Sequence, residues 1–186
     1  MQIINRIIVS TDSPEIKEIA LKTGVEVIDR PDCLSTDSSS SVSALIHVLE
    51  NIGEDFENVI LLQPTNPLRP ENLLKDAFDK FEAEGVESLM TVSRNRQKFG
   101  KIINDSFVAF NYKMGQRSQD LEPLYFENGL LYIIKTDLIQ KEILLGVNNC
   151  PFIVDHPFAG VDIDTEEDFE YAEFILKKYY SGLIER

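Results

Sequence analysis

Short apolar runs alternate with amphipathic stretches along the first half of the chain. Arg6-Ile7-Ile8-Val9-Ser10 is rich in β-branched residues and breaks at Thr11-Asp12-Ser13-Pro14, which predicts a strand entering a helix. Ser13 stands where an N-cap accepts a bond from the first turn, and Pro14 where a missing N–H costs nothing. Ile16, Ile19 and Ala20 recur at helical spacing, Gly24 supplies a stop, and Val25-Glu26-Val27-Ile28 returns to strand character. The rhythm then repeats. Val42, Leu45, Ile46 and Leu49 mark a helix, and Val59-Ile60-Leu61-Leu62 is an apolar strand of the kind buried on both faces. Leu73, Leu74, Ala77, Phe78 and Phe81 mark the next helix, with Ser88-Leu89-Met90-Thr91-Val92 as the strand after it. Such alternation predicts an α/β fold, doubly wound around a mostly parallel sheet.

Between Arg94 and Pro123 the rhythm fails. The stretch is polar, carries Phe107, Phe110, Tyr112 and Met114, and has hairpin chemistry at Asn104-Asp105-Ser106, so it reads as an insertion projecting from the sheet. Regularity resumes with a predicted strand over 129–135, a helix over 136–145 and a last helix with Phe169, Ala172, Leu176 and Tyr179 on one face. Thr165 and Asp168 form a capping-box pattern at its start. The expected organisation is one domain over residues 1–186 with the insertion at about 94–123.

Composition narrows the classes of function. The 186 residues are 43% hydrophobic, enough to bury a sizeable core. No run approaches the roughly 20 apolar residues needed to cross a bilayer, and no secretory pattern opens the chain. The expected location is cytoplasmic, with no membrane partner. A formal charge of −14 argues against nucleic acid as a partner, because phosphate backbones are gripped by basic surfaces. A small anionic substrate is compatible with that charge if a metal and a few arginines reverse the field locally. Cys33 and Cys150 lack the paired spacing of a zinc or redox site and read as idle or buried thiols. His47 and His156 stand alone.

Four segments are candidates for chemistry. Gln63-Pro64-Thr65-Asn66-Pro67-Leu68-Arg69-Pro70 follows a buried strand, where open α/β sheets present loops to ligands. Polar groups held stiff between prolines suit a polyhydroxylated ligand; a rigid strand-to-helix connector is the other reading. In Val161-Asp162-Ile163-Asp164 an extended backbone would put both carboxylates on one side, a pair that suits Mg²⁺, although Asp164 also suits a helix start. Arg30-Pro31 and the serines up to Ser41 precede a helix and can bind an anion or ribose, or simply cap. The fourth runs from Gln119-Asp120-Leu121 through Tyr125-Phe126-Glu127-Asn128-Gly129 into a strand, and its Asn-Gly pair also fits ordinary turn chemistry.

Taken in order, Val9-Ser10-Thr11-Asp12, Arg30-Pro31, the proline loop, Asn128-Gly129 and Val161-Asp162-Ile163-Asp164 resemble the acylneuraminate cytidylyltransferases, or CMP-sialic acid synthetases, over nearly the whole chain. The resemblance implies a Rossmann-like nucleotidyltransferase fold. It implies transfer of CMP from CTP to a nine-carbon acidic sugar, N-acetylneuraminate or a related nonulosonic acid, releasing pyrophosphate. It also implies a homodimer in which the insertion crosses to the partner. By this resemblance Arg30 and Ser41 approach the cytidine, Gln63 the acidic sugar, and Asp162 with Asp164 serve catalysis and hold Mg²⁺. Asn128 is grouped with the substrate-binding residues, as are Lys101 and Arg117, whose register in the family's basic stretch stays open. Asn66 takes a place often held by serine, which points toward a pseudaminic or legionaminic type of sugar.

The resemblance also implies a Gly/Ser-rich loop with arginine and lysine, cradling the triphosphate, ahead of the first strand seen here. Met1-Gln2-Ile3-Ile4-Asn5 contains no such loop. The expectation is that these 186 residues alone transfer little CMP. The alternative is a non-catalytic dimeric module, derived from that family, with affinity for sugar or nucleotide.

Overall fold

The computed structural model describes residues 4–180; Met1 to Ile3, at the head of the segment just discussed, lie outside the described residues. In chain order the strands and helices are β1 (Ile8–Thr11), α1 (Pro14–Lys22), β2 (Glu26–Asp29), α2 (Ser41–Asn51), β3 (Asn58–Leu61), α3 (Leu73–Glu84), β4 (Ser88–Arg94), β5 (Gly100–Ile103), β6 (Ser106–Ala109), β7 (Tyr125–Lys135), α4 (Thr136–Ile139), β8 (Asn149–Ile153) and α5 (Glu166–Tyr180). Three sheets form, ordered β1-β2, β3-β7-β4-β8 and β5-β6. The α/β alternation expected of a doubly wound fold is therefore present. The chain divides into two compact units, one of residues up to 61 with 74–89 and 133–150, the other of residues 62–73, 90–132 and 151 onward.

In the first unit, β1 and β2 are parallel, with Val9 opposite Val27, and α1 connects them. The local chemistry behaves as the sequence predicts. Ser13 Oγ accepts from Ile16 N at 3.3 Å, and Gly24 takes a positive φ of 82° just past the helix. Of the periodic apolar residues of α1 only Ala20 is buried, whereas Ile16 and Ile19 face outward. Ser40 caps α2 through Ser43 N at 3.2 Å. The helix predicted over 136–145 ends at Ile139, because Glu142 turns left-handed (φ 61°) and Ile143 N returns to Leu138 O at 2.9 Å.

Strand direction in the four-stranded sheet follows from hydrogen bonds inside each unit. Lys135 N reaches Glu87 O at 3.0 Å in the first unit, and Leu131 N reaches Thr91 Oγ1 at 3.1 Å in the second, so β7 runs against β4. Glu87 N to Asn148 O and Val154 N to Val92 O place β8 alongside β4 in the same direction. Strand β8 is absent from the sequence expectation because Pro151 sits within it; the sheet order makes it an edge strand, where a missing N–H is tolerated.

The second unit carries the segment 94–123. Its hairpin forms where the sequence places it. Asn104 and Asp105 both adopt positive φ, 50° and 59°, and close a two-residue loop that pairs Ile103 with Ser106. A core of Phe158, Val161, Ala172 and Ile175 anchors α5 in this unit, and the Phe158 ring stacks on Tyr180 with centroids 5.3 Å apart. The buried stripe of α5 is thus rotated from the expected one: Ala172 is inside, but Phe169 and Tyr179 are exposed. The expected capping box forms, Thr165 N donating to Asp168 Oδ2 at 2.9 Å and Asp168 N to Thr165 Oγ1 at 3.2 Å. Neither cysteine is in a disulfide; Cys33 is exposed and Cys150 buried. Among the described residues no helix is long and apolar enough to cross a membrane.

Two substitutions separate the real core from the apparent one. Phe158→Ala is expected to lower the unfolding free energy by about 3–5 kcal/mol, and Phe169→Ala to change it by less than about 0.5 kcal/mol, both read by urea denaturation.

Candidate functional site

The site lies wholly within the second unit and begins with the proline loop. Its curvature is set by Arg69, whose Nε donates to Leu130 O at 2.8 Å and Nη2 to Gln63 O at 2.9 Å. The guanidinium is partly buried, and that burial lowers its pKa from the ordinary arginine value. Asn66 turns inward and is 3% exposed. Its Nδ2 donates to Val161 O at 2.9 Å, while Ile163 N donates to Thr65 O at 2.8 Å. These two bonds strap residues 161–163 to the loop and set Asp162 beside Gln63.

The third wall is the start of β7. Gly129 has φ 70°, and a Cβ there would overlap both Asn66 Oδ1 and Gln63 Oε1. Only glycine lets the strand pass this close to the loop. Asn128 just before it is buried and bonded at both ends: Nδ2 donates to Ser93 Oγ at 3.0 Å, and Oδ1 accepts from Leu130 N at 3.3 Å. Ser93 Oγ in turn donates to Val154 O at 2.9 Å. The result is a cavity of about 290 Å³ with Gln63, Asn66, Asn128 and Asp162 on its wall, completed by Phe126, Glu127, Tyr132 and the Ala159-Gly160 backbone.

Three of the residues singled out in the sequence, Gln63, Asn128 and Asp162, therefore meet in one cavity. Asp164 lies elsewhere. The backbone at 161–164 is irregular rather than a strand, and Asp164 lines a separate hollow at the start of α5 with Thr165, Glu166 and Glu170. Its N–H donates to Asp168 at 3.2 Å. Lys101, on the exposed hairpin, holds its ammonium 5.4 Å from the Phe110 ring centroid. Arg117 forks onto Asp120, with N···O distances of 2.7 and 3.0 Å. Neither lines the cavity. Arg30 and Ser41 belong to the first unit, where Arg30 donates to Ser35 Oγ at 3.0 Å and to Asp12 at 3.3 Å, and Ser41 opens α2 directly after its cap.

Sequence reasoning includes Glu127 in its fourth segment without a role and passes over Tyr132, the wall residue with which it interacts. Tyr132 is 6% exposed, and its hydroxyl donates to the Glu127 carboxylate. Burial first, and the Glu127 carboxylate second, push the phenol well above its usual pKa. The two residues are an odd number of positions apart, so a regular strand would put them on opposite faces. The left-handed Gly129 between them breaks that alternation, and a Gly inside a strand pattern was the available signal. Among the described residues no group of three or more His, Cys, Asp or Glu side chains is arranged to hold a metal.

Comparison with known proteins places these features in context. The cytidylyltransferase family pattern matches residues 1–183. An N-acylneuraminate cytidylyltransferase of Streptococcus agalactiae is 31% identical over 169 residues, covering 88% of this chain and 40% of that protein. A pseudaminic acid cytidylyltransferase of Campylobacter jejuni is 28% identical over 185 residues, covering 94% of this chain and 79% of that protein. The solved structure of a CMP:2-keto-3-deoxy-manno-octonic acid synthetase complexed with CTP superposes with a TM-score of 0.64 over 94% of this chain and 82% of that one, at 11% identity, and shares the α/β nucleotidyltransferase fold. The chain thus spans well under half the length of the streptococcal relative.

The strap around Asn66 carries an expected outcome. Asn66→Ala leaves the Val161 carbonyl without its donor and should cost about 1–3 kcal/mol in urea unfolding. It should also speed exchange of the Ile163 amide, which the same strap protects.

Proposed function

The chain belongs to the cytidylyltransferase family, and on that premise we propose that it serves the transfer of CMP from CTP to a nonulosonic acid, with release of pyrophosphate. The observation that carries this reading is the meeting of Gln63, Asn128 and Asp162 in one cavity, from segments widely separated in the chain. Relatives of the same family act, by name, on N-acylneuraminate and on pseudaminic acid. In this reading Gln63 meets the sugar, and Asn128 shapes the wall through its bonds to Ser93 and Leu130. Arg30 and Ser41 serve the cytidine, and Lys101 and Arg117 supply cationic charge for the acidic substrates.

The donor chemistry fits Mg²⁺. Asp162, exposed on the cavity wall, is the hard oxygen donor that would hold the ion there together with phosphate oxygens; Asp164 lies in the separate hollow at the start of α5 and would have to be brought to the same ion to complete the pair. When bound, Mg²⁺ would offset negative charge on phosphate oxygens. In the transfer itself the anomeric hydroxyl oxygen of the sugar forms a bond to the α-phosphorus as the bond to the β-phosphate bridging oxygen breaks. The hydroxyl proton passes to a base, and pyrophosphate leaves with the electron pair. Gln63 orients the sugar, and the stiff loop lowers the entropy lost in holding it. The exposed Ile102, Phe107, Phe110 and Met114 of the segment 94–123 are assigned to a homodimer contact. The cytoplasm is the proposed location.

The deciding assay follows pyrophosphate from this chain, and from any N-terminally extended form, with CTP, Mg²⁺ and a panel of nonulosonic acids. Release is expected only when an acid of this class is present. Asp162→Asn should reduce kcat by about a hundredfold or more, and Gln63→Ala should raise the KM for sugar more than that for CTP. Equal losses for both substrates would make the loop a connector only. For the assembly, light scattering should give a dimer that becomes a monomer on deletion of residues 94–123; a monomer at micromolar concentration before the deletion would refute the contact.

A further inference from the structure

The side chains around the cavity share a polarity that the transferase reading does not use. A phenol has one proton and otherwise only lone pairs, and the Tyr132 proton is committed to Glu127. What Tyr132 offers a ligand is therefore an acceptor. Asn66 donates from Nδ2 to Val161 O and accepts at Oδ1 from the Thr65 hydroxyl at 3.4 Å, an oxygen that keeps a second lone pair; Asn128 is bonded at both ends internally. Glu127 and Asp162 are carboxylates, and among the described residues no lysine or arginine lies on the wall. Among the described wall residues the side-chain donors left are amide N–H groups alone: those of Gln63 and the second N–H of Asn66 and of Asn128, the last two side chains buried and already bonded through their first.

A carboxylate entering such a cavity meets two like charges and no cation, with neutral amide N–H groups as its side-chain donors. A hydroxyl or an amide N–H meets acceptors on several sides. Resting on the transferase reading, we propose that Glu127 sets the specificity of this cavity: by holding the Tyr132 hydroxyl it turns the wall into acceptors, which select the neutral, donor-bearing part of the sugar, its hydroxyls or acylamino N–H, over its carboxylate. Glu127 acts on this selection both directly, as an acceptor, and as a positioning residue for Tyr132. The raised phenol pKa is consistent with a proton that stays on Tyr132 throughout neutral pH. Sites built to pair with a substrate hydroxyl discriminate strongly, because their own polar groups are left unpaired by the wrong ligand.

The test compares wild type with Glu127→Gln, Glu127→Asp and Tyr132→Phe, in whichever form of the chain turns over, using CTP and N-acetylneuraminate or pseudaminate. A glutamine amide can donate to the phenol oxygen and free its proton toward the cavity, reversing the polarity. Glu127→Gln is expected to raise the sugar KM about tenfold or more, the scale of losing a bond to a substrate hydroxyl, while the CTP KM stays within about twofold. Glu127→Asp, which keeps an acceptor, should recover part of that loss, and the effects of Glu127→Gln and Tyr132→Phe should not add. A sugar KM unchanged in both variants, or equal rises for sugar and CTP, overturns the proposal. If wild type releases no pyrophosphate with any acid, the transferase reading fails, and saturation-transfer NMR with N-acetylneuraminate decides the cavity separately. Saturation strongest at the acetamido and glycerol-chain protons supports the assignment; saturation strongest at the C3 methylene beside the carboxylate, or no binding at millimolar sugar, overturns it.

Discussion

The close passage of Gly129 against the proline loop is the constraint from which the rest of the cavity is built. Because no Cβ stands there, Asn66 Oδ1 and Gln63 Oε1 can lie against the strand backbone. Asn66 is then turned so that its other end faces Val161, and the bond between them carries the segment bearing Asp162 into place. A left-handed glycine also resets the strand that follows, which brings Tyr132 to the side of Glu127. One missing side chain thus determines both the width of the cavity and the polarity of its wall.

Arg69 shows how the same economy works in the loop. A buried cation is costly unless its donors are matched. Here the fork reaches backbone carbonyls, Leu130 O on β7 and Gln63 O at the head of the loop, so the charge is used to hold main chain rather than to meet a ligand. Its own carbonyl accepts from the Tyr180 hydroxyl at 3.4 Å, and Tyr180 stacks on Phe158 in the core that anchors α5. The rigidity attributed to the prolines is in good part the work of this arginine.

How much was legible in the sequence depended on how local the cause was. Ser13, Pro14 and Gly24 bound their helix as read, the Asn104-Asp105 turn closes as read, and Thr165 and Asp168 cap each other as read, because each effect is settled within four residues. The α5 stripe was misread by about one helical position, since only the packing of Phe158 and Val161 decides which face is inside. Strand β8 was hidden by Pro151, whose tolerance depends on being at an edge. In the candidate site, motif spacing singled out Gln63 and Asp162, which line one cavity, but not the strap between their segments, because Asn66 and Val161 are 95 residues apart. The Glu127 and Tyr132 pair was masked by a spacing that a regular strand would forbid.

The charge distribution leaves one more step of argument. The cavity wall carries Glu127 and Asp162, and the substrates proposed for it are anions, so under that proposal their charge would be met by groups outside the wall. In the second unit the cations cluster in the segment 94–117, where Arg94, Arg96, Lys98, Lys101, Lys113 and Arg117 stand against Asp105 alone. Several of these are already turned to local tasks: Lys98 binds Gln116 O and faces the Tyr112 ring, Lys101 faces Phe110, and Arg117 holds Asp120. Each such contact is exposed and weak enough to be exchanged for a stronger anionic partner. Under the proposed function, an acceptor-lined cavity would take the hydroxylated part of the sugar and a separate, exchangeable set of cations its charges, so that affinity for charge and selection of the sugar could vary independently along the sequence.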